Sequence, residues 1–555
     1  MMRHWTFICS CLLACDTYKF LINTPMFAYS HTNFMGAIAD TLTEAGHNVT
    51  VLMPVMHVEQ EDKTCLKLTK NVIKIPADPR VYELRRFKSE TFSDVWMPDS
   101  SVFGLLKARF DLKHMFAKKL LKMHFLESLF QGRKNMTKSF VDLCEGAFHL
   151  RNLLNIIFST INKHSSGVFN DEKLMKMLEK EKFDVGISEA FDICGLGIFE
   201  ILKIPATIAA FSGVHMDSVS RTIGEPIMPT QWSREGDRMN FIGRFKNFLN
   251  MLLENIFFIQ TYDEEIKAFR TKFGPQFKSY SELISKTSFV FTNSNPYLDY
   301  PRPVLHKTVA IGGITVSDDP KKMELKIFRK ALLEVFETMP ETTFIWKYEE
   351  EGSTIVGHLK NVYLSSWVPQ NALLADSRLT VFITHGGLGS ITELAHMGKP
   401  AILASRNYNI SHVTELPLLL QIPIFADQAR NANMFSKHGC GIFLTKDEFE
   451  YPQKLRDSLR KIFNNASFSE NARLLSDILR NQPIGPKQLV VSYSEFAARF
   501  GTLPNLDPYG RHLSFLQYYL IDVLLACVFA FCFVVFAIFK LLRKCFSLRE
   551  KSKTE

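Results

Sequence analysis

The 555-residue chain holds ten cysteines but no Cys-x-x-Cys pair and no His/Cys cluster at ligand spacing, which argues against a structural zinc site and a disulfide framework. Cys9, Cys11 and Cys15 sit in the apolar N-terminus, and Cys527, Cys532 and Cys545 lie in or beyond an apolar C-terminal run. No Gly-x-Gly-x-x-Gly follows the first predicted strand, so the dinucleotide fingerprint of an oxidoreductase is missing. No internal repeat is evident. With 46% hydrophobic and 22% charged residues the chain can bury a core, which excludes collagen-like, low-complexity and wholly disordered classes. A basic excess is missing over most of the length as well. The net charge is +9, but residues 540–555 alone carry six Lys/Arg against two Asp/Glu. The rest is nearly balanced, so the charge reads as membrane topology and no nucleic-acid partner is expected. A chain of this length exceeds one hydrophobic core, and two domains with accessory segments are expected.

Both ends address a membrane. Residues 1–15 have the charged start (Arg3) and short apolar stretch of a secretory signal peptide, with Ala14 and Cys15 near the cleavage point. Val523–Phe539 is uncharged and long enough to cross a bilayer, with Asp522 before it and Lys540, Arg543 and Lys544 after it. That asymmetry predicts a type I single-pass protein with a cytosolic basic tail, residues 540–555. The last five residues, Lys551-Ser-Lys553-Thr-Glu555, resemble a Lys-x-Lys-x-x retrieval signal of endoplasmic reticulum residents. Asn135-Met-Thr137 and Asn465-Ala-Ser467 are glycosylation sequons on a lumenal chain.

Between the ends, short apolar strands alternate with helical patterns. Phe20–Ile22, a helix over Phe34–Ala45 stopped by Gly46, and Val49–Met53 form a βαβ unit; Phe183–Ser188 and Thr207–Phe211 follow. This alternation predicts parallel sheets covered on both faces, with ligands at the carboxyl ends of the strands. Leu105–Phe130 interleaves lysines with aromatics and reads as a basic amphipathic helix, on a membrane or simply solvated. From Ser288 a second half is expected, beginning with strands at Phe289–Phe291 and Val309–Ile311. Strands at Thr343–Trp346, Val362–Leu364 and Thr380–Ile383 follow, with helices at Leu325–Met339 and Ile391–Met397. The domains are drawn as 16–287, 288–482 and a connecting segment, 483–522, that leads to the span.

Trp367-Val-Pro-Gln370, Phe382-Ile-Thr-His385-Gly386-Gly387, Ser390, Glu393, Gly398-Lys-Pro400 and Pro423-Ile-Phe-Ala-Asp427-Gln428 stand in one order. Together they resemble the signature of the membrane-bound UDP-glucuronosyltransferases, and the resemblance covers essentially the whole chain. It implies the GT-B type fold: two facing Rossmann-like α/β domains, the first for the acceptor and the second for the UDP-sugar, plus the C-terminal transmembrane helix. His385, Gly386 and Gly387 would face the diphosphate. Trp367 and Gln370 would hold uracil, Ser390 would line the same donor pocket, and Glu393 would bind the ribose hydroxyls. Asp427 and Gln428 would hold the sugar. A strand-to-helix turn rich in glycine suits the diphosphate, because backbone N–H groups and the positive helix end meet the anion at close range. His31 resembles the family's catalytic base, with Glu189 at the position of its acidic partner, where family members usually have Asp; Asp192 is the alternative partner. The implied reaction is inverting transfer of glucuronic acid or glucose to a small lipophilic hydroxyl compound. No metal and no cofactor is called for, the UDP-sugar being a co-substrate.

Two departures from the family pattern carry expectations. Ile314–Glu324 leaves no room for the strand and Ser-x-Gly-Ser loop that open the family's second domain, so that sheet should lack one member. Ile402–Ile422 is an insertion between Pro400 and Pro423. Together they predict weakened UDP-sugar affinity. They also keep open a second reading, a catalytically impaired member that acts as a binding or oligomerisation partner of its relatives.

Overall fold

The computed structural model describes residues 17–26, 29–55, 61–76, 168–226, 236–316, 329–348, 353–365, 368–404, 427–449 and 451–551. The signal segment, the basic pattern at 105–130, the sequon at Asn135, Trp367, most of the insertion and the last four residues lie outside them.

The first lobe is built on seven parallel strands: β1 (Lys19–Asn23), β2 (Asn48–Pro54), β3 (Asn71–Ile75), β4 (Val185–Glu189), β5 (Ala206–Phe211), β6 (Phe289–Thr292) and β7 (Thr308–Ala310). Their order is β3-β2-β1-β4-β5-β6-β7. The strands are short apolar runs because both sheet faces are covered, and β1, β4 and β5 are almost wholly buried. One face packs Phe34, Ile38 and Leu42 of α1 (Tyr29–Glu44) against Phe20, Ile22 and Val51. The other packs α2 (Glu172–Glu181), α3 (Cys194–Ile201), α4 (Asp217–Ile223), the long α5 (Phe241–Phe273) and α6 (Tyr280–Ser285) around Phe199, Tyr262 and Phe269. The order reverses direction between β1 and β4, so the crevice at their carboxyl ends is the place for a ligand in such a sheet.

Two sequence expectations are corrected here. Phe289–Phe291 and Val309–Ile311 do not begin the second half. Ile208 pairs with Phe289 and Val290 with Thr308, so both strands extend the first sheet. A strand of three or four apolar residues carries no mark of the sheet it joins; its neighbour decides. Helix α1 also begins five residues before Phe34, which puts His31 in its first turn instead of the preceding loop.

In the second lobe, β8 (Phe344–Lys347) pairs only with β9 (Val362–Ser365), and β10 (Phe382–Thr384), β11 (Ala401–Ala404) and β12 (Gly441–Leu444) form a separate sheet. Among the described residues no strand joins the two pieces. Residues 317–328, between Gly313 and α7, where the missing member was expected, lie outside the described ones. The two pieces nevertheless share a core, since Trp346 and Val362 pack in one apolar cluster with Ile402 and Leu444. Around them stand α7 (Arg329–Glu337), α8 (Gln370–Ala375), α9 (Leu388–Met397), α10 (Asp427–Lys437), α11 (Lys446–Phe449), α12 (Pro452–Phe463) and α13 (Ser467–Arg480).

The segment expected merely to connect does more. α14 (Pro486–Phe500) returns to the first lobe, burying Val490 and Ala497 in its core and setting Tyr493 edge-on to Phe289 at 4.8 Å. Lys307, almost fully buried, meets Asp507 at 2.6 Å. After a short turn, α15 (Phe515–Tyr518), the chain ends in α16 (Ile521–Lys551), of which Ile521–Arg543 are 23 residues long and apolar enough to cross a membrane. At about 1.5 Å per residue that is about 35 Å, against a hydrocarbon core of about 30 Å. Its Phe529, Phe531 and Phe533 face no protein.

Candidate active site

The reversal of strand order brings the first group together. Asn23 at the end of β1 pairs with Ser188, so the next residue, Glu189, ends β4 beside the start of α1. There His31 Nδ1 lies 2.7 Å from Glu189 Oε1. Glu189 is fully buried and His31 only slightly exposed. Burial pushes the Glu189 carboxyl up. The His31 charge and hydrogen bonds from His31 and Ser212 outweigh that and hold it below its ordinary range. An ionised Glu189 accepts from Nδ1–H, and a neutral ring in that tautomer carries its lone pair on Nε2. The Phe191 ring meets the imidazole edge-on at 5.6 Å.

Sequence reasoning missed Ser212, the residue just past β5. Its Oγ stands 2.8 Å from His31 Nδ1 and its N–H donates to Glu189 Oε1 at 3.2 Å, so it touches both members of the pair. The available signal was a hydroxyl directly after the strand next to β4, but that adjacency is visible only in the sheet. Asp192, the alternative partner, caps the start of α3. Its Oδ1 accepts from the Cys194 N–H at 3.0 Å at the start of α3. Burial, and then the neighbouring Glu189 charge, push it up to about 7 against the Cys194 bond.

The second group stands on the other lobe. Thr384 ends β10, and the turn His385-Gly386-Gly387 leads into α9 with Gly387 as its N-cap. Gly386 has φ +84°, and a Cβ there would meet the Gln428 carbonyl oxygen at 2.7 Å. Only glycine lets this turn press against the start of α10. The first N–H groups of α9 have no helical partner, and a helix start of this kind suits an anion. Gln370, at the start of α8, donates to Glu393 Oε2 at 2.6 Å and to Ser390 Oγ at 3.4 Å. Burial pushes Glu393 up, against the Gln370 bond. Three predicted donor residues from two helices thus converge. Asp427 and Gln428 open α10. Asn431 donates to Asp427 Oδ2 at 3.0 Å, and burial pushes the Asp427 carboxyl up to about 6, with Asn431, Arg430 and His31 pulling the other way.

The second group stands where the lobes meet, since Arg430, one turn beyond Asp427, pairs with Asp299 of the first lobe at 2.6 Å, and the His31 charge acts on Asp427. A second crossing supports it: Tyr29, two residues before His31, is pushed above its ordinary value by burial, then by Cys65 and by Glu393 of the other lobe. The cleft therefore offers a directed imidazole on one wall. A carboxyl, an amide and a helix N-terminus stand on the other. That suits deprotonation of a hydroxyl facing a bound phosphate ester.

Comparison with known proteins agrees with this architecture. The family described as UDP-glucoronosyl and UDP-glucosyl transferase matches residues 112–334 and 329–554. UDP-glucuronosyltransferase 1A9 of Mus musculus is 29% identical over 71% of this chain and 77% of its own. UDP-glucosyltransferase 2 of Dactylopius coccus is 26% identical over 92% and 90%. Among solved structures, the glycosyltransferase of kitacinnamycin is similar in fold, with a TM-score of 0.50, 14% identity, and coverage of 89% of this chain and 100% of that one. The chain has the GT-B architecture and belongs to the UDP-glucuronosyl and UDP-glucosyl transferase family.

Proposed function

We propose that this family member transfers a hexosyl group, glucuronic acid or glucose, from its UDP carrier to hydroxyl groups of small lipophilic acceptors, with inversion at the anomeric carbon. His31 Nε2 takes the acceptor proton as the oxygen attacks, and Glu189 and Ser212 hold the ring and steady the imidazolium. His385, Gly386 and Gly387 receive the diphosphate. Gln370, Ser390 and Glu393 receive the nucleoside with Trp367, and Asp427 and Gln428 receive the sugar hydroxyls. Breakage of the glycosyl–phosphate bond leaves UDP, whose charge the helix end stabilises without a metal. The observation that carries the reading is the 2.7 Å His31–Glu189 pair within electrostatic reach of Asp427. Membrane anchoring by α16, with both lobes on the lumenal side of the endoplasmic reticulum and the basic tail in the cytosol, suits greasy acceptors.

The test is UDP release by the purified full chain with UDP-glucuronic acid and UDP-glucose and a panel of phenols, beside His31→Ala. Substitution of the base should lower turnover by about 10²–10⁴-fold with UDP affinity intact. Unchanged turnover would reject His31. One observation favours a second reading, a silent binding partner: the divided sheet of the second lobe. No transfer by the wild type, with stable association with active relatives, would establish that reading instead.

A further inference from the structure

The two lobes are not simply apposed; a third apolar cluster crosses between them, joining Val214, Leu298 and Tyr300 of the first lobe to Leu388, Ile391 and Phe435 of the second. Inside this junction lies an ion pair that sequence motifs do not mark. Arg430, one turn beyond Asp427 on α10, donates through Nη2 to Asp299 Oδ1 at 2.6 Å, with both side chains almost wholly buried. Asp299 sits in the loop after β6 and is itself fixed, accepting from Ser294 Oγ at 2.9 Å and from the Tyr300 N–H at 2.7 Å. The guanidinium also lies 5.0 Å from the centre of the Tyr300 ring. From that loop, Arg302 donates to the Val214 carbonyl at 2.8 Å, in the segment that begins with Ser212. Asn293 donates to the Ser212 carbonyl at 2.9 Å. A contiguous set of contacts thus runs from the first turn of α10 to the hydroxyl that touches His31.

We propose that Arg430 is a positioning residue, whose pair with Asp299 holds Asp427 and Gln428 in register with the Ser212–His31–Glu189 end of the first lobe. The inference rests on the reading of Asp427 and Gln428 as the sugar-holding pair. A buried pair is a poor choice for stability alone, because well-packed apolar residues of similar volume often serve as well, whereas its directional bonds specify one arrangement. The far end of α10 has its own ties to the first lobe: Lys437 pairs with Asp237, and Nε2 of the next residue, His438, lies 2.8 Å from the Leu298 carbonyl. Loss of Arg430 therefore frees mainly the end that carries Asp427. Gln370, Ser390, Glu393 and the turn His385-Gly386-Gly387 stand on α8, α9 and just before α9, so UDP itself should not feel the change.

The experiment compares the wild type with Arg430→Lys and with the double variant Arg430→Met/Asp299→Leu, which removes both charges and avoids leaving one buried alone. In the double variant, affinity for UDP by calorimetry should stay within about twofold. The extra affinity of UDP-glucose over UDP should disappear, and turnover should fall about tenfold to a hundredfold, the scale of an ångström-level misplacement. Arg430→Lys should recover part of that loss. Amide exchange over Asp427–Asn431 should speed up in the double variant. Unchanged exchange and an unchanged UDP-glucose to UDP affinity ratio would overturn the proposal, as would turnover and UDP affinity falling in proportion. A wild type that binds UDP but transfers nothing would reject the transferase reading, while the affinity ratio and exchange would still decide the role of Arg430.

Discussion

The two lobes solve the same construction problem with unequal completeness. The first carries seven strands in one ladder, and its His31–Glu189 pair is fixed by strand register: Asn23 opposite Ser188 puts Glu189 beside the first turn of α1. The second carries five strands in two pieces that share a core but, among the described residues, no ladder. Its His385-Gly386-Gly387 turn still stands, because β10 is held by β11 and Gly386 lets the turn rest on the Gln428 backbone. Site geometry in the first lobe thus depends on backbone pairing. In the second it depends on packing and on side-chain bonds such as Gln370 to Glu393 and Arg430 to Asp299.

Perturbing each lobe should therefore give different signatures. The largest effect is expected from Glu189→Gln, which keeps the shape but removes the anion that orients and steadies His31; turnover should fall by about 10²–10³-fold with UDP affinity unchanged. The Glu189 carboxyl is held below its ordinary value of 4.5. Its ionised form therefore adds stability above that pH, and the contribution is lost as pH falls through the lower folded value. Glu189→Gln should destabilise the first lobe at pH 7 and not in strong acid, as thermal unfolding at several pH values would register. If stability dropped equally at all pH values, the variant would be acting through packing.

Next in size, Gly386→Val should weaken UDP binding by about tenfold or more, because a left-handed φ and a 2.7 Å contact with backbone both oppose a side chain there. UDP calorimetry reads this, and an affinity equal to the wild type would remove the turn from the donor site. A smaller and two-sided effect is expected of Asp427→Asn. The carboxyl is pushed up to about 6 from an ordinary 3.8, so the fold favours its protonated form. The charge costs stability above about pH 6 and nothing below 3.8. The asparagine variant should gain about 1–3 kcal/mol near pH 8, gain nothing near pH 3, and transfer sugar about tenfold more slowly. The smallest effect is one of rate: amides of Phe344–Lys347 and Phe382–Thr384 should exchange faster than those of Phe20–Asn23 and Val185–Ser188, since among the described residues no ladder joins the two sheet pieces of the second lobe. Equal protection would mean that the two sheet pieces unfold as one with the first lobe.

Much of this was legible before the structure. Glu189 and His31 could be paired from strand-end logic together with the family pattern. The sheet membership of Phe289–Thr292 could not be read, since pairing partners 81 residues apart leave no periodicity to follow. Ser212 escaped for the same reason. Its role comes from the neighbour of β5 and not from its own surroundings in the chain. Arg430 was readable as a helical residue, but its partner lies 131 positions away in another lobe. The return of α14 onto the first lobe was hidden by its position after the second.

The account turns on a single displacement in which the acceptor oxygen, relieved of its proton by His31, attacks the anomeric carbon directly. The proton NMR spectrum of the product formed from UDP-α-glucose and a simple phenol tests this. A β-glycoside, with the large anomeric coupling of a diaxial pair, is the predicted result. An α-glycoside would contradict the account, because retention requires the acceptor oxygen to arrive on the face from which UDP leaves, away from His31.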